Sequence, residues 1–238
     1  MSYDGQFQSQ ANQRNTNHLM KTCLIFGINS FTGQHVKRVF EQKKIEVIGT
    51  TYSSNKLKKI DEEQTHQINI LNADDVVTVI KKVRPDYVIN LAGISHVMNH
   101  DIGQFYNVHI LGTRNILDAL VKYAPLVQKV VLASSAHIYG RASHPNEQTP
   151  PLPESDYAVS KLAMEHMASL WFNQLPIVIT RPFNCIGTGQ ADSFLISKII
   201  HHFTKKKVSI ELGDTLIERD FVDIRLAALD YYTITVKG

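Results

Sequence analysis

The amino-acid sequence predicts an α/β fold, a parallel sheet wound by helices on both faces. Three observations lead there. Short apolar runs recur along the chain, each of strand length. Segments between them carry apolar residues at helical spacing. The first run also ends in a glycine-containing turn that opens straight into such a segment. Strands that read as unbroken apolar runs are covered on both sides, as in parallel sheets with helices above and below.

The first strand is Cys23-Leu24-Ile25-Phe26, closed by Gly27, and a helix follows from Gly33 to Lys43 with Val36, Val39 and Phe40 on one side. Val47-Ile48-Gly49-Thr50 is the second strand, and Ile68-Asn69-Ile70 a short third one. Val76, Val77, Ile80 and Val83 mark a helix ended by Pro85, and Tyr87 to Ala92 is the fourth strand. A long helix runs from Phe105 to Val121, with Asn107 polar among Phe105, Val108 and Leu111. Val130 to Ala133 is the fifth strand, Tyr157 to Phe172 another helix, and Ile177-Val178-Ile179 the sixth strand. This alternation is that of a Rossmann-type doubly wound sheet, whose ligands lie at the carboxyl ends of the strands.

The chain has 238 residues, enough for one large domain or one domain with a small second lobe. With 43% hydrophobic and 20% charged residues it can fill a core and keep a polar surface. A net charge of +3 is too small to argue for a nucleic-acid partner, and Lys205-Lys206-Lys207 reads as a solvated helix end. The two cysteines, Cys23 and Cys185, lie beside apolar residues without disulfide or zinc spacing, so free thiols in a reducing, cytoplasmic setting are expected. No apolar run approaches the ~18 residues of a membrane span, and no signal-peptide pattern opens the chain. Residues 1–19 are rich in Gln, Asn and Ser, which predicts a flexible tail. The expected division is this tail, a dinucleotide-binding domain over 20–180, and a partial substrate-binding region over 181–238.

The turn Gly27-Ile28-Asn29-Ser30-Phe31-Thr32-Gly33 suits a dinucleotide. Gly27 permits the tight turn, Gly33 permits close packing of helix on sheet, and the helix N-terminus offers N–H groups to a pyrophosphate. Ser30 stands where the usual motif has its middle glycine, but it is small and can hydrogen-bond phosphate. Gln34 follows Gly33 where an ATP-type phosphate loop requires Lys. The second strand runs into Tyr52-Ser53-Ser54-Asn55-Lys56 without the Asp or Glu that would hold the ribose 2′-OH of NAD. The hydroxyls, Asn55 and Lys56 suit a 2′-phosphate, so NADP(H) is expected over NAD(H).

Tyr157 and Lys161 are four residues apart and share a helix face. An ammonium beside a phenol favours the phenolate and is expected to lower its pKa. Such a tyrosine can move the proton that accompanies hydride transfer at a carbonyl. Ser135, just past the fifth strand, is placed to hydrogen-bond the same oxygen.

From Lys21 to Asp223 the chain resembles the extended short-chain dehydrogenase/reductases that modify nucleotide sugars. The resemblance rests on the glycine turn, Asn90-Leu91-Ala92-Gly93, Asn107 followed by Gly112-Thr113, Ser134-Ser135 leading to Tyr139-Gly140, Tyr157 with Lys161, Arg181-Pro182-Phe183-Asn184, and Arg219-Asp220-Phe221-Val222-Asp223. It implies that Tyr157 is the catalytic acid/base, that Lys161 tunes it and holds the nicotinamide ribose, and that Ser135 orients the substrate carbonyl. It further implies cofactor contacts from Gly27, Ser30, Phe31, Thr32, Gly33, Ser53, Asn69, Ile70, Leu91, Ala92 and Gly93. Asn69 and Ile70 would lie near the adenine, and Asn107 would bridge backbone and water near the lysine. His137, Asn184 and Arg219 would face the nucleotide-diphosphate sugar, the arginine forking onto phosphate oxygens.

Dehydratases of that family carry Glu at the His137 position, which argues against a standard dehydratase. The stretch from Phe183 to Gln190, then Phe194, is similar to the GDP-6-deoxy-4-keto-mannose reductases. The implied reaction is NADPH-dependent reduction of a 4-keto nucleotide sugar by a cytoplasmic homodimer. A 4-epimerase or dehydratase is the enzymatic alternative, and a cofactor-binding sensor or remnant the non-catalytic one. Because the chain stops at Gly238, the small C-terminal substrate lobe is expected to be shortened. His96, His100 and His109 lack acidic or cysteine partners, so surface or core histidines are expected and no metal site.

Overall fold

A computed structural model of the chain describes residues 20–52, 64–94, 101–213 and 218–238. Six parallel strands form one sheet: β1 (Thr22–Phe26), β2 (Glu46–Thr51), β3 (Thr65–Gln67), β4 (Tyr87–Asn90), β5 (Lys129–Ala133) and β6 (Ile177–Thr180). Their order is β3-β2-β1-β4-β5-β6. The chain reverses its winding at β1 and β4, so the crevice between their carboxyl ends is where a ligand of such a sheet lies.

Successive residues of β1 serve opposite faces, as strand geometry requires. Cys23 and Ile25 join Val36 and Phe40 of α1 (Phe31–Gln42) and Ala228 and Tyr231 of α7 (Ile224–Val236). Leu24 and Phe26 join residues of α2 (Ala73–Val83), α4 (Thr113–Tyr123) and α5 (Asp156–Ala168), among them Ile80, Leu117 and Met164. Both layers are therefore filled, and the sheet is buried throughout its centre.

The helix ends follow their sequences. Asn72 caps α2, Asp74 and Asp75 sit in its first turn and Lys81 and Lys82 in its last, each charge opposing the helix dipole. Arg84, in the left-handed region, and Pro85 end it. The long helix predicted from Phe105 to Val121 is α3 (Ile102–Tyr106) and α4 joined by a π-helical turn, Asn107–Gly112. Such turns widen the helix by one residue and often mark functional sites.

Two features differ from the sequence reading. β3 lies at Thr65–Gln67, just ahead of Ile68-Asn69-Ile70. The apolarity there serves a loop contact instead: Ile70 packs so closely on Gly112 that a Cβ on that glycine would stand 2.6 Å from its Cδ1. The stretch 181–238 also has two destinations. It forms a two-stranded parallel sheet, β7 (Asn184–Ile186) with β8 (Phe221–Asp223), and α6 (Leu195–Thr204). Its last helix, α7, returns to the main sheet, where the Tyr231 hydroxyl meets Thr180 Oγ1 at 3.2 Å. Among the described residues no helix is long and apolar enough to cross a membrane.

Candidate active site

The loops after β1, β4 and β5 meet at the carboxyl edge of the sheet. Gly27 has φ +78°, and a Cβ there would stand 2.8 Å from the Ala92 amide nitrogen. The turns after β1 and β4 thus touch backbone to backbone, which only glycine permits. Leu91 N donates to Phe26 O at 2.9 Å, and the Asn90 side chain accepts from Ala92 N at 3.1 Å and donates to Thr113 Oγ1 at 3.0 Å. At Gly33 a Cβ would stand 2.6 Å from Gly27 O, so the N-terminus of α1 presses on the turn, with Phe31 and Thr32 half-buried in its first residues.

Ser30 caps α1, its Oγ accepting from Gly33 N at 3.0 Å. That explains the serine locally: it satisfies one of the donors a helix start leaves free. The Asn29 Nδ2 atom in the same turn is buried with no hydrogen-bond partner among the described residues. A buried, unpaired donor beside a helix N-terminus, in a cradle with no room for a Cβ, suits an anionic group such as a pyrophosphate. Asn69 Oδ1 accepts from Leu71 N at 3.0 Å, and the Ile70 carbonyl accepts from Asn115 Nδ2 at 2.9 Å. Ser53, Asn55 and Lys56, with His96 and His100, lie outside the described residues.

Ser135 follows β5 as the cap of a 3₁₀ turn, Ala136–Tyr139. Its Oγ lies 3.0 Å from His137 Nδ1, accepts from His137 N at 3.2 Å and hydrogen-bonds Tyr157. Tyr157 stands in the first turn of α5, capped by Ser155. Its ring lies edge-on to Phe105, His109 and His137, with centroids 5.9, 5.6 and 5.8 Å away. Lys161, one turn on, is 7% exposed. Its Nζ donates to the Ala133 carbonyl at 2.9 Å and lies 6.0 Å from the Tyr157 ring centroid. The three residues expected to carry catalysis are thus gathered at one strand end.

The electrostatics depart from expectation at Tyr157. Its pKa is raised, not lowered: burial disfavours the phenolate, and the Ser135 hydrogen bond only partly offsets this. The Lys161 ammonium donates a hydrogen bond to the Ala133 carbonyl. Burial lowers Lys161 itself from 10.5 to about 8, against which the Glu165 carboxylate acts to raise it.

Two features escaped the sequence reading. Asn107, expected beside the lysine, is exposed. The π-turn instead turns His109 inward, at 1% exposure. Phe105, His109, Gly112 and Ile116 are all buried, and their spacing of one helix face was the available signal. The second is an ion pair behind the site. Arg181 forks onto Glu165 at 3.0 and 2.6 Å and donates to Tyr139 Oη at 2.7 Å. This ties β6 to the helix that carries Lys161.

Of the residues expected to face substrate, His137 is exposed beside Ser135. Asn184 donates through Nδ2 to Asp220 O at 3.2 Å, and Arg219 is exposed. The pairing of Asn184 with Phe221 brings Asn184 near Arg219 in the smaller sheet.

Comparisons with known proteins agree with this architecture. The chain is 32% identical over 204 residues to GDP-6-deoxy-D-talose 4-dehydrogenase of Aggregatibacter actinomycetemcomitans, covering 84% of this chain and 65% of that protein. It is 32% identical over 186 residues to GDP-6-deoxy-D-mannose reductase of Pseudomonas aeruginosa, covering 73% of this chain and 60% of that one. The chain therefore spans less than two thirds of the length of either relative. A solved protein of Burkholderia cenocepacia J2315 assigned as an epimerase superposes with a TM-score of 0.82 at 35% identity, over 90% of this chain and 71% of that one. The dTDP-glucose 4,6-dehydratase of Bacillus anthracis str. Ames, solved in complex with NAD, gives 0.79 at 25% identity, over 92% and 72%. Residues 23–229 match the model of one family, and the chain belongs to it: the NAD dependent epimerase/dehydratase family.

Proposed function

We propose that this chain carries the dinucleotide-binding and catalytic part of an enzyme that reduces the C4 carbonyl of a nucleotide-diphosphate sugar of the GDP-6-deoxy-4-keto-mannose kind, with NADPH as reductant. The observation that carries this reading is the meeting of Ser135, Tyr157 and Lys161 at the carboxyl end of β5, beside the β1–β4 crevice. The names of the GDP-6-deoxy-D-talose and GDP-6-deoxy-D-mannose relatives support the sugar class. The absence of an acidic residue from Thr50 to Lys56 supports NADPH.

Gly27, Gly33, Asn29 and the N-terminus of α1 would hold the dinucleotide, with Leu91, Ala92 and Gly93 lining its far side. The bound dinucleotide supplies the hydride. Ser135 holds the carbonyl oxygen through its hydroxyl. Tyr157, protonated at neutral pH as a phenol ordinarily is, gives its proton to that oxygen as negative charge develops there. The Lys161 ammonium, 6.0 Å from the ring, then stabilises the phenolate left behind. Asn184 and Arg219 would orient the diphosphate.

The test is Tyr157→Phe against the wild type, with NADPH and GDP-6-deoxy-4-keto-mannose, following nicotinamide absorbance. The wild type is expected to oxidise NADPH, and the variant to bind it as well but turn over on the order of 10²–10⁴ more slowly. A wild type that purifies with NAD and only inverts C4 would instead be a 4-epimerase. One that binds NADPH and turns over no 4-keto nucleotide sugar would be a non-catalytic binder.

A further inference from the structure

His109 takes no part in the chemistry assigned above, yet it is buried against the residues that do. A buried imidazole is costly unless both nitrogens are paired, and both are. Nε2 accepts from the Ile94 amide at 3.3 Å, and Nδ1 lies 2.8 Å from Ser160 Oγ. An amide N–H can only donate, so Nε2 is the acceptor and the ring proton sits on Nδ1. Ser160, receiving that proton, donates its own to the Tyr157 carbonyl at 2.8 Å. Hydrogen bonds thus run in one direction from Ile94 through His109 and Ser160 to the backbone of Tyr157.

Described neighbours from α3, α5 and the β4 loop hold the ring. It stacks on Phe105 of α3 at 6.0 Å and meets the Tyr157 ring edge-on at 5.6 Å. Gly93 leaves it room, since a Cβ there would stand 3.2 Å from Nε2 and 3.5 Å from Lys161 Nζ. Among the described residues, the titratable groups facing it are Tyr157 and Lys161 of α5, while α3 and the β4 loop present Phe105, Gly93 and Ile94. A second ring proton would set two N–H groups against each other and a cation beside Lys161. Burial and Lys161 accordingly push its pKa down to about 2, so the imidazole is neutral at working pH.

Building on the catalytic reading above, we propose that His109 is a positioning residue, whose Nδ1-protonated ring ties the loop after β4 to the turn of α5 bearing Tyr157 and so keeps the Tyr157 hydroxyl aligned with Ser135. The tie matters because Tyr157 is the proton donor and the β4 loop lines the dinucleotide crevice. The polar bridge through His109 and Ser160 links the two. Misplacement of a reacting group by about 1 Å typically costs on the order of a hundredfold in rate.

Three variants of the full chain test this. His109→Leu keeps the volume and removes both hydrogen bonds. His109→Asn restores one donor and one acceptor. Ser160→Ala cuts the link to Tyr157 without opening a large cavity, and stands in should the leucine variant fail to fold. Turnover on GDP-6-deoxy-4-keto-mannose should fall on the order of a hundredfold in the leucine and alanine variants, mostly in kcat, and largely recover in the asparagine variant. A second readout does not depend on that substrate: the titration of the Tyr157 phenol by NMR of tyrosine-labelled protein, assigned with Tyr157→Phe. The Ser135 hydrogen bond favours the phenolate, so its misalignment should raise the midpoint in His109→Leu and Ser160→Ala and restore it in His109→Asn. Should the wild type turn over no substrate, the function proposed above fails and the phenol titration alone decides the role of His109. An unmoved midpoint in folded His109→Leu or Ser160→Ala, unchanged kcat there, or no recovery with asparagine would overturn the proposal.

Discussion

Lys161→Met should abolish activity and, at neutral pH, leave the protein as stable as the wild type or more so. Burial lowers the Lys161 pKa from 10.5 to about 8, which corresponds to roughly 3 kcal/mol of native-state cost for the charged form. Methionine removes that cost and fills the same slot. Against this, the Ala133 carbonyl loses the 2.9 Å bond it receives from Nζ, a loss of about 1–3 kcal/mol for a buried acceptor. The net expectation at pH 7 runs from neutral to about 2 kcal/mol in favour of methionine. The pH dependence is the sharper signature. Below pH 8 the lysine is protonated in both folded and unfolded chains, and the cost is complete. Between about 8 and 10.5 the unfolded chain holds the proton and the folded one does not, so wild-type stability rises with pH relative to the variant. Urea unfolding of both proteins at steps from pH 7 to pH 10 measures the difference. Parallel stability curves would refute the reasoning, because they would mean that Lys161 is not desolvated in the native state.

The Arg181 ion pair and the glycine turn give two further tests. Arg181→Met leaves the nearly buried Glu165 carboxylate unpaired and should destabilise by about 3 kcal/mol, the low end for such breaks because Arg181 keeps some solvent contact; Arg181→Met with Glu165→Leu should regain most of it, as denaturant titration of both will report. Gly33→Ala sets a Cβ 2.6 Å from Gly27 O, so the helix must lift off the turn; calorimetric titration should show dinucleotide binding weakened at least on the order of tenfold, and unchanged affinity would remove the turn from the binding site.

The strands were legible because buried parallel strands are nearly continuous apolar runs, and β1, β4 and β5 fall within a residue or two of where those runs stand. β3 was displaced because Ile68 and Ile70 owe their apolarity to a loop packed against the π-turn, and a short edge strand carries little pattern of its own. Tyr157 with Lys161 could be read from helical spacing, since a four-residue interval fixes a shared face without reference to the rest of the chain. The charge state of that pair could not. Whether the ammonium serves the phenol or the Ala133 carbonyl depends on where β5 ends relative to α5, and how far burial shifts each group depends on what covers them.

The same division holds for the polar partners. Arg181 and Glu165 are sixteen residues apart and meet only because β6 lies beside α5. His109 read as one scattered histidine among eleven, and its partners Ile94, Ser160 and Tyr157 come from a loop and a helix distant in the chain. Local periodicity and turn chemistry encode the strand and helix alternation, the glycine turn, and the shared helix face of Tyr157 and Lys161, and these could be read without the fold. Which groups are desolvated, which are paired, and which histidine lies behind Tyr157 came from the packed chain alone, because burial and long-range contact are properties of the whole fold and of no segment within it.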